Sequence, residues 1–268
     1  MKLTLIKKVL KEYCLKNDYR RMSLGFRYII FFVINFALLA EKNPNGQFLL
    51  EKLDRENTLN PGLYEGSIIY KDKNFDIITR KFKLFTDGEN YRFNFTKKGE
   101  KHFKFLSYSK QEKIYYSLSP PGLTSSPSIE EYHETILSSN ISILDLSHFS
   151  FEKNFLIEKM QTYQPGKIEY WKLVTKPVLD YNYSRVEFLF FKSSNKLYRI
   201  DYFDKNGILT RIVKYSENDL SQHGKKFIFE LEAIDPDSGS RTKLVFHRVI
   251  EEPKVSEEFF KLENLNIK

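Results

Sequence analysis

Five histidines, one cysteine and a scatter of carboxylates are the residues of this 268-residue chain whose types could do chemistry. His102, His133, His148, His223 and His247 show no H-x-H or H-E-x-x-H spacing, so no two of them reach one zinc ion from a single strand or helix face. Cys14 is the sole cysteine, which removes an intrachain disulfide and a thiolate metal site. There is no G-x-S-x-G elbow for a nucleophile, and neither G-x-x-x-x-G-K-[ST] nor G-x-G-x-x-G to cradle a phosphate. Glu65, Asp180, Glu187, Asp201 and Asp204 could meet as a carboxylate pair, but nothing marks a complementary acid and base. Solvated strand faces account for them, and His247, between Phe246 and Arg248, reads as structural. The expectation is a protein that is not an enzyme and uses no metal or cofactor.

The formal charge of +8 suggests nucleic acid until it is located. Residues 1–40 hold eight Lys or Arg against two Asp or Glu, and the rest of the chain nets only +2. K-H-F-K-F and K-L-Y-R interleave rings with cations as a single-stranded nucleic-acid platform would. A body so nearly balanced lacks the electrostatic footprint such binding needs, and no nucleic-acid partner is expected. What remains is an apolar surplus: 24 Phe and 17 Tyr, which can fill a core or line a cavity for acyl chains.

The elements that must position those rings are strands. From Lys167 to Val213 aromatic and β-branched runs alternate with turn residues. Leu197, Arg199, Asp201 and Phe203 fall on one side of the third run, and Tyr198, Ile200 and Tyr202 on the other. Asp204-Lys205-Asn206-Gly207 then reverses the chain in a tight hairpin. Val186, Phe188 and Phe190 oppose Leu189 and Phe191, so this sheet needs cover on both faces or an apolar ligand on one. Earlier strands are expected at Tyr64–Tyr70, Asp76–Phe85, from Tyr91, at His102–Ser107 and at Glu112–Leu118, and later ones at Phe227–Ala233 and Lys243–Val249. A short amphipathic helix at Gly46–Leu53 turns Phe48, Leu49, Leu50 and Leu53 inward. Ser119–Ser128 is a proline-rich loop, a helix opens near Pro127, and Leu146–Gln161 has helical spacing through Phe149, Phe151, Phe155, Leu156 and Met160.

Ahead of all this, Tyr28–Ala40 is a 13-residue apolar run behind Arg20, Arg21 and Arg27, followed at once by Glu41 and Lys42. It has the form of an export signal and is too short to span a ~30 Å hydrocarbon core as a helix. Residues 1–40 are therefore assigned as a signal peptide or leader, with Met22 a second possible start, and 41–268 as a single domain. An uncleaved membrane-proximal anchor and a buried N-terminal helix are the alternatives.

Several pieces taken in order carry a resemblance. They are the leader, the short helix, Y-E-G-S-I, Asp145-Leu146-Ser147, Lys176-Pro177 with Val186-Glu187, and the run Y-R-I-D-Y-F-D-K-N-G. Together these resemble the outer-membrane lipoprotein-sorting family, the LolA/LolB-like superfamily, over roughly Gln47 to Leu262. The resemblance implies a mainly β, α+β fold: an unclosed antiparallel β half-barrel covered by short helices. It implies a periplasmic carrier or chaperone that binds acyl chains of lipoproteins or other lipids in an apolar cavity, with an inner- or outer-membrane transfer partner. Phe93, Phe95, Phe188, Phe190, Tyr198, Ile200 and Phe229 would form that cavity, under a lid carrying Phe151, Phe155 and Leu156. Cys14 precedes the apolar run and cannot be a lipid-attachment cysteine, so the receptor's lipoprotein form is not expected. A cell-envelope interaction or structural module with a filled half-barrel core is the alternative function.

Overall fold

Short reversals between successive apolar runs leave each strand only its sequence neighbour to pair with, and that rule builds nearly the whole molecule. The computed structural model describes residues 44–96, 103–108, 113–118, 135–137, 139–147, 149–216, 230–251, 255–261 and 263–264. The leader 1–40, Phe229 and most of the helix expected from Pro127 lie outside the described residues. Asn45–Lys268 forms one compact unit by its contacts.

The first meander is β1 (Gly62–Lys71), β2 (Ile77–Thr86), β3 (Asn90–Thr96), β4 (Phe103–Tyr108) and β5 (Lys113–Leu118). The second is β6 (Phe155–Tyr163), β7 (Tyr170–Pro177), β8 (Tyr183–Phe191), β9 (Leu197–Asp204), β10 (Leu209–Ser216), β11 (Glu230–Ile234) and β12 (Arg241–Glu251). β12 pairs with β1, and the twelve described strands form one antiparallel sheet in the order β5-β4-β3-β2-β1-β12-β11-β10-β9-β8-β7-β6. The ends of that order, β5 and β6, do not pair with each other, so the sheet is not closed into a barrel. The expected α+β half-barrel is the observed architecture.

Curvature follows from who meets whom. Flat, β3 and β9 would lie about 29 Å apart at ~4.8 Å per strand. Yet Tyr91 and Phe93 of β3 and Tyr202 of β9 line the same small cavity. One face of the sheet therefore wraps around an interior, and a single apolar cluster runs through it from Ile114 of β5 to Phe155 of β6.

Three short helices cover that interior. α1 (Gly46–Asn57) is capped by Asn45, whose Oδ1 accepts from the Phe48 amide at 2.7 Å. Leu49, Leu50 and Leu53 are buried beneath it, whereas Phe48, expected inward, is exposed. The stretch 146–161 departs most from expectation. It begins at the last residue of α2 (Ile143–Leu146), holds α3 (Phe151–Asn154), each helix being about one turn, and then becomes the edge strand β6. Leu156, expected on a helical lid, is a strand residue facing solvent at 60% exposure. The Asn154 carbonyl ends α3 by accepting from the Val178 amide at 2.9 Å, and β6 then pairs with β7.

Gly66 fits the sheet where no other residue would. It sits at the register shift between β1 and β12, and a Cβ there would come within 2.4 Å of both Phe82 Cζ and the Val245 carbonyl oxygen. Because one of those atoms is main chain, a rotamer change cannot relieve the clash. Gly66→Ala is expected to destabilise the fold by ~1–3 kcal/mol in urea denaturation, the usual cost of overpacking; an unchanged midpoint would mean the β12 backbone gives way.

On the convex face a second, smaller cluster is closed by the C-terminal segment. A 3-10 turn, Glu257–Phe260, lays Phe259 against Phe85 at 4.7 Å and under the Arg92 guanidinium at 4.1 Å. Arg92 donates to the carbonyls of Phe259 at 2.6 Å and Asn264 at 3.1 Å, and burial lowers its pKa.

Candidate functional site

The interior is built from rings on alternate residues of neighbouring strands. Phe93 and Phe95 of β3 stack with centroids 5.8 Å apart, and Phe82 of β2 lies 5.4 and 5.8 Å from them. On the other arm Phe188 of β8 meets Phe155 at 5.4 Å, Phe151 at 5.7 Å and Phe190 at 6.3 Å. Ile200 lies directly across from Phe188 on β9. Of the residues predicted to line a cavity, Phe93, Phe95, Phe188, Phe190 and Ile200 thus share one buried cluster, joined by Phe151 and Phe155 of the predicted lid.

Tyr198 does not join them there. Phe188 pairs with Ile200 but Phe190 pairs with Leu197, a register shift that turns Leu197 toward the core. Tyr198 instead packs its ring 5.3 Å from Tyr170 and 5.2 Å from Phe191. Strict alternation had grouped it with Ile200, and a one-residue irregularity exchanges faces.

The same shift helps shape an open recess of about 530 Å³ between the last turn of α1 and the lower ends of β8, β9 and β10. Leu53, Phe191, Leu197, Tyr198 and Tyr215 supply its apolar lining, and Glu56, Asn57 and Lys196 its polar groups. Lys52 ties α1 to the neighbouring hairpin by donating to the carbonyls of Ser194 at 2.9 Å and Asn195 at 3.1 Å. A second cavity, lined by Tyr91, Phe93, Leu146, Phe151, Tyr202 and Phe246 among others, has a volume of about 90 Å³. That is less than the ~150 Å³ that admits a benzene.

Two carboxylates hold the covering helices down. Asp54 of α1 accepts from the Phe151 amide at 2.7 Å, Ser150 Oγ at 2.8 Å and the Glu152 amide at 3.1 Å, which joins α1 to the start of α3. Burial raises the Asp54 pKa even though these three donors oppose the rise. Asp145 of α2 accepts from the Ser142 amide at 2.8 Å and Ser142 Oγ at 3.0 Å, completing a capping box. Asp145 also accepts from Arg211 Nη2 of β10, both side chains being almost wholly buried. Arg211 Nε donates to the Asn140 carbonyl at 3.3 Å, and the guanidinium lies 5.3 Å from the Tyr202 ring centroid. Burial opposes the charge on Arg211, but Asp145 beside it, with Tyr183 and Tyr202, raises its pKa overall. Alternation had not singled out Arg211 as special.

On the convex face Glu187 and Asp201 pair across β8 and β9 and are buried, contrary to the solvated position expected of them. Lys172 lies 2.7 Å and Arg185 3.2 Å from Glu187, and Arg199 lies 2.5 Å from Asp201. Burial raises the Asp201 pKa against the pull of Arg199. Each of the two acids is thus paired with at least one cation, in an ion-pair network across β7, β8 and β9. Among the described residues no group of three or more His, Cys, Asp or Glu side chains is placed to hold a metal ion.

A family model described as an uncharacterized protein matches residues 93–266. The chain belongs to that family. A comparison with curated proteins finds no match. Among solved structures the chain is similar to a LolA superfamily protein from Nitrosomonas europaea, with a TM-score of 0.65 and 15% identity over 82% of this chain and 98% of that one. A domain put forward as an outer membrane lipoprotein-sorting protein from Vibrio parahaemolyticus gives the same TM-score, identity and coverage. A DUF1329 family protein from Desulfovibrio piger follows at 0.64 and 17%, over 82% of this chain and 97% of that one. The fold of the family member described here resembles that of the LolA/LolB-like superfamily.

Proposed function

We propose that this chain is a non-catalytic protein-interaction or structural module of the cell envelope, its half-barrel core filled by its own side chains. The supporting observation is the packing beneath α1 to α3: Phe93, Phe95, Phe151, Phe155, Phe188 and Phe190 belong to one buried cluster, and the cavity that Phe93 and Phe151 help to line has a volume of only about 90 Å³. An interior packed like this stores no acyl chain, so binding falls to the surface. Export to the periplasm is part of the reading, on the arginine-flanked apolar run Tyr28–Ala40, with tethering through an uncleaved leader as the other form.

One observation favours a second reading. The recess of about 530 Å³ beside Tyr198 and Leu197 falls within the ~300–1,000 Å³ of ordinary ligand sites. A carrier or chaperone for the acyl chains of lipoproteins or other lipids, working in outer-membrane sorting with a membrane transfer partner, would use it. Native mass spectrometry with lipid extraction, on protein recovered from a bacterial periplasm, separates the two. Ligand-free protein that takes up no acylated lipopeptide is the expected result. A stoichiometric lipid would overturn the filled-core reading in favour of the carrier.

A further inference from the structure

The convex face carries its own acids on one arm of the sheet and lacks them on the other. Glu187 and Asp201 meet Lys172, Arg185 and Arg199 on β7 to β9, and Glu230 and Glu232 meet Lys243 and Arg241 across β11 and β12. On β1 to β4 the supply stops. Among the described outward positions of those four strands Glu65 is the one carboxylate, and it lies 3.4 Å from Lys83. Lys81 on β2 and Arg248 on β12 are exposed, and neither has a carboxylate partner among the described residues.

Register gathers these cations into one continuous band. Lys83 stands directly across from Glu65 on β1 and from Asn94 on β3, Asn94 across from Lys104 on β4, and Glu65 across from Arg248. Lys81 stands across from Ser67 in the next row. A bulge adds a further basic group. The register shifts between Glu65 and Gly66, so His247 has no partner on β1, and the consecutive residues His247 and Arg248 are both exposed, with His247 Nε2 3.0 Å from Ser67 Oγ. Without the shift, alternation would turn one of the two inward. Burial lowers the pKa of Lys104, and the charge of Arg92 nearby lowers it further.

From Arg248 to Lys104 the band crosses four strand spacings, ~19 Å at ~4.8 Å each, the length of about six residues of extended chain. An adjoining part of the same face already holds a segment of related chemistry. The C-terminal turn Glu257–Phe260, which opens with two glutamates, lies against Phe85 and under Arg92. Its acids do not serve the band: Glu257 and Glu258 are exposed, and Glu258 pairs with Lys261 at 3.1 Å. Glu65, Ser67 and Asn94 stand between the cations, polar groups that give a bilayer nothing to bury, and a convex surface meets a flat one over little area. We infer that this band docks an acidic, extended segment of a partner protein, with Lys81, Lys83 and Arg248 pairing with its carboxylates. The inference rests on the reading of the chain as an interaction module and adds the chemistry of the partner.

Protein recovered from a bacterial periplasm is titrated into fluorescein-labelled hexaglutamate, with hexaglutamine as the uncharged control, and followed by fluorescence anisotropy. Saturable binding of hexaglutamate that weakens as salt rises is expected, and no binding of hexaglutamine. Lys81→Glu with Arg248→Glu is expected to weaken binding about tenfold or more, whereas Lys167→Glu with Lys205→Glu, the same change of net charge on turns of the other meander, leaves it within about twofold. Lys81→Gln with Arg248→Gln is expected to fall between them. An unchanged melting temperature of the first pair, both side chains being exposed, separates lost docking from lost fold. No binding by the wild type, or equal weakening by the two reversed pairs, overturns the proposal. So does binding to phosphatidylglycerol vesicles that depends on Lys81 and Arg248 in protein that ignores hexaglutamate, which would assign the band to a membrane. The two failures are distinct, since a stoichiometric bound lipid counts against the interaction-module reading and a negative titration against the band alone.

Discussion

Arg211→Met is expected to lower stability by ~3–5 kcal/mol, because it leaves the Asp145 carboxylate buried without its cation. The pair sits where α2 crosses the inner face of β10, and neither side chain has appreciable access to water. Asp145 also caps α2 through Ser142, so its charge cannot turn outward without undoing the turn that holds Ile143, Leu144 and Leu146 in the core. For a unit of this size the loss corresponds to a fall in melting temperature of roughly 6–20 °C. Arg211→Met with Asp145→Asn removes both charges while keeping an acceptor for Ser142, and is expected to recover a large part of the loss. Guanidinium denaturation of the two single variants and the double variant measures this. If the double variant is as unstable as Arg211→Met alone, the cost lies in the hydrogen bond to the Asn140 carbonyl and the stacking on Tyr202, not in the orphaned charge.

Phe188→Ala is the second large effect, expected at ~3–5 kcal/mol. Phe188 is fully buried, lies opposite Leu173 and Ile200 on its two neighbouring strands, and meets Phe151 and Phe155 edge to face. Its removal leaves a void beneath α3 that β-sheet backbone on one side and short capped helices on the other cannot collapse to fill. Urea denaturation gives the magnitude, and a loss under ~1.5 kcal/mol would indicate an interior that yields as a ligand cavity does. The same variant bears on function. With a filled core, Phe188→Ala makes room that was not there, so uptake of an acylated lipopeptide should stay at zero or increase. A fall from a measurable wild-type level would mean that Phe188 itself touches cargo, as a carrier requires.

Much of this architecture was legible in the residues. Runs such as Y-S-R-V-E-F-L-F-F and K-L-Y-R-I-D-Y alternate with period two, and the turns between them are too short for anything but antiparallel pairing, so β7 to β10 could be drawn from the sequence. The stretch from Phe151 to Met160 could not. Its apolar residues fall at helical intervals because the strand carries an irregularity between Ile157 and Lys159, which returns Met160 to the inner face a residue late. A bulged strand and a short amphipathic helix then look alike, and only the presence of β7 to pair with decides between them. Tyr198 parts from Ile200 for a related reason, since the slip beside Phe190 is a relation between two strands and cannot be read from β9 by itself.

By itself, then, the sequence determined strand content, antiparallel order within each meander, that Phe93 shares a face with Phe95 and Phe188 with Phe190, and the lack of any spaced set of metal ligands; which face is concave came from the tertiary structure. What the sequence determined is local, set by side-chain period and turn chemistry. Tertiary structure alone decided that the two meanders join through β1 and β12, that Arg211 and Asp145 meet, that Glu187 and Asp201 are buried, and how much space remains inside. Each of these depends on residues far apart in the chain arriving at one place, and the volume left among packed rings is a small difference between large quantities that alternation does not measure.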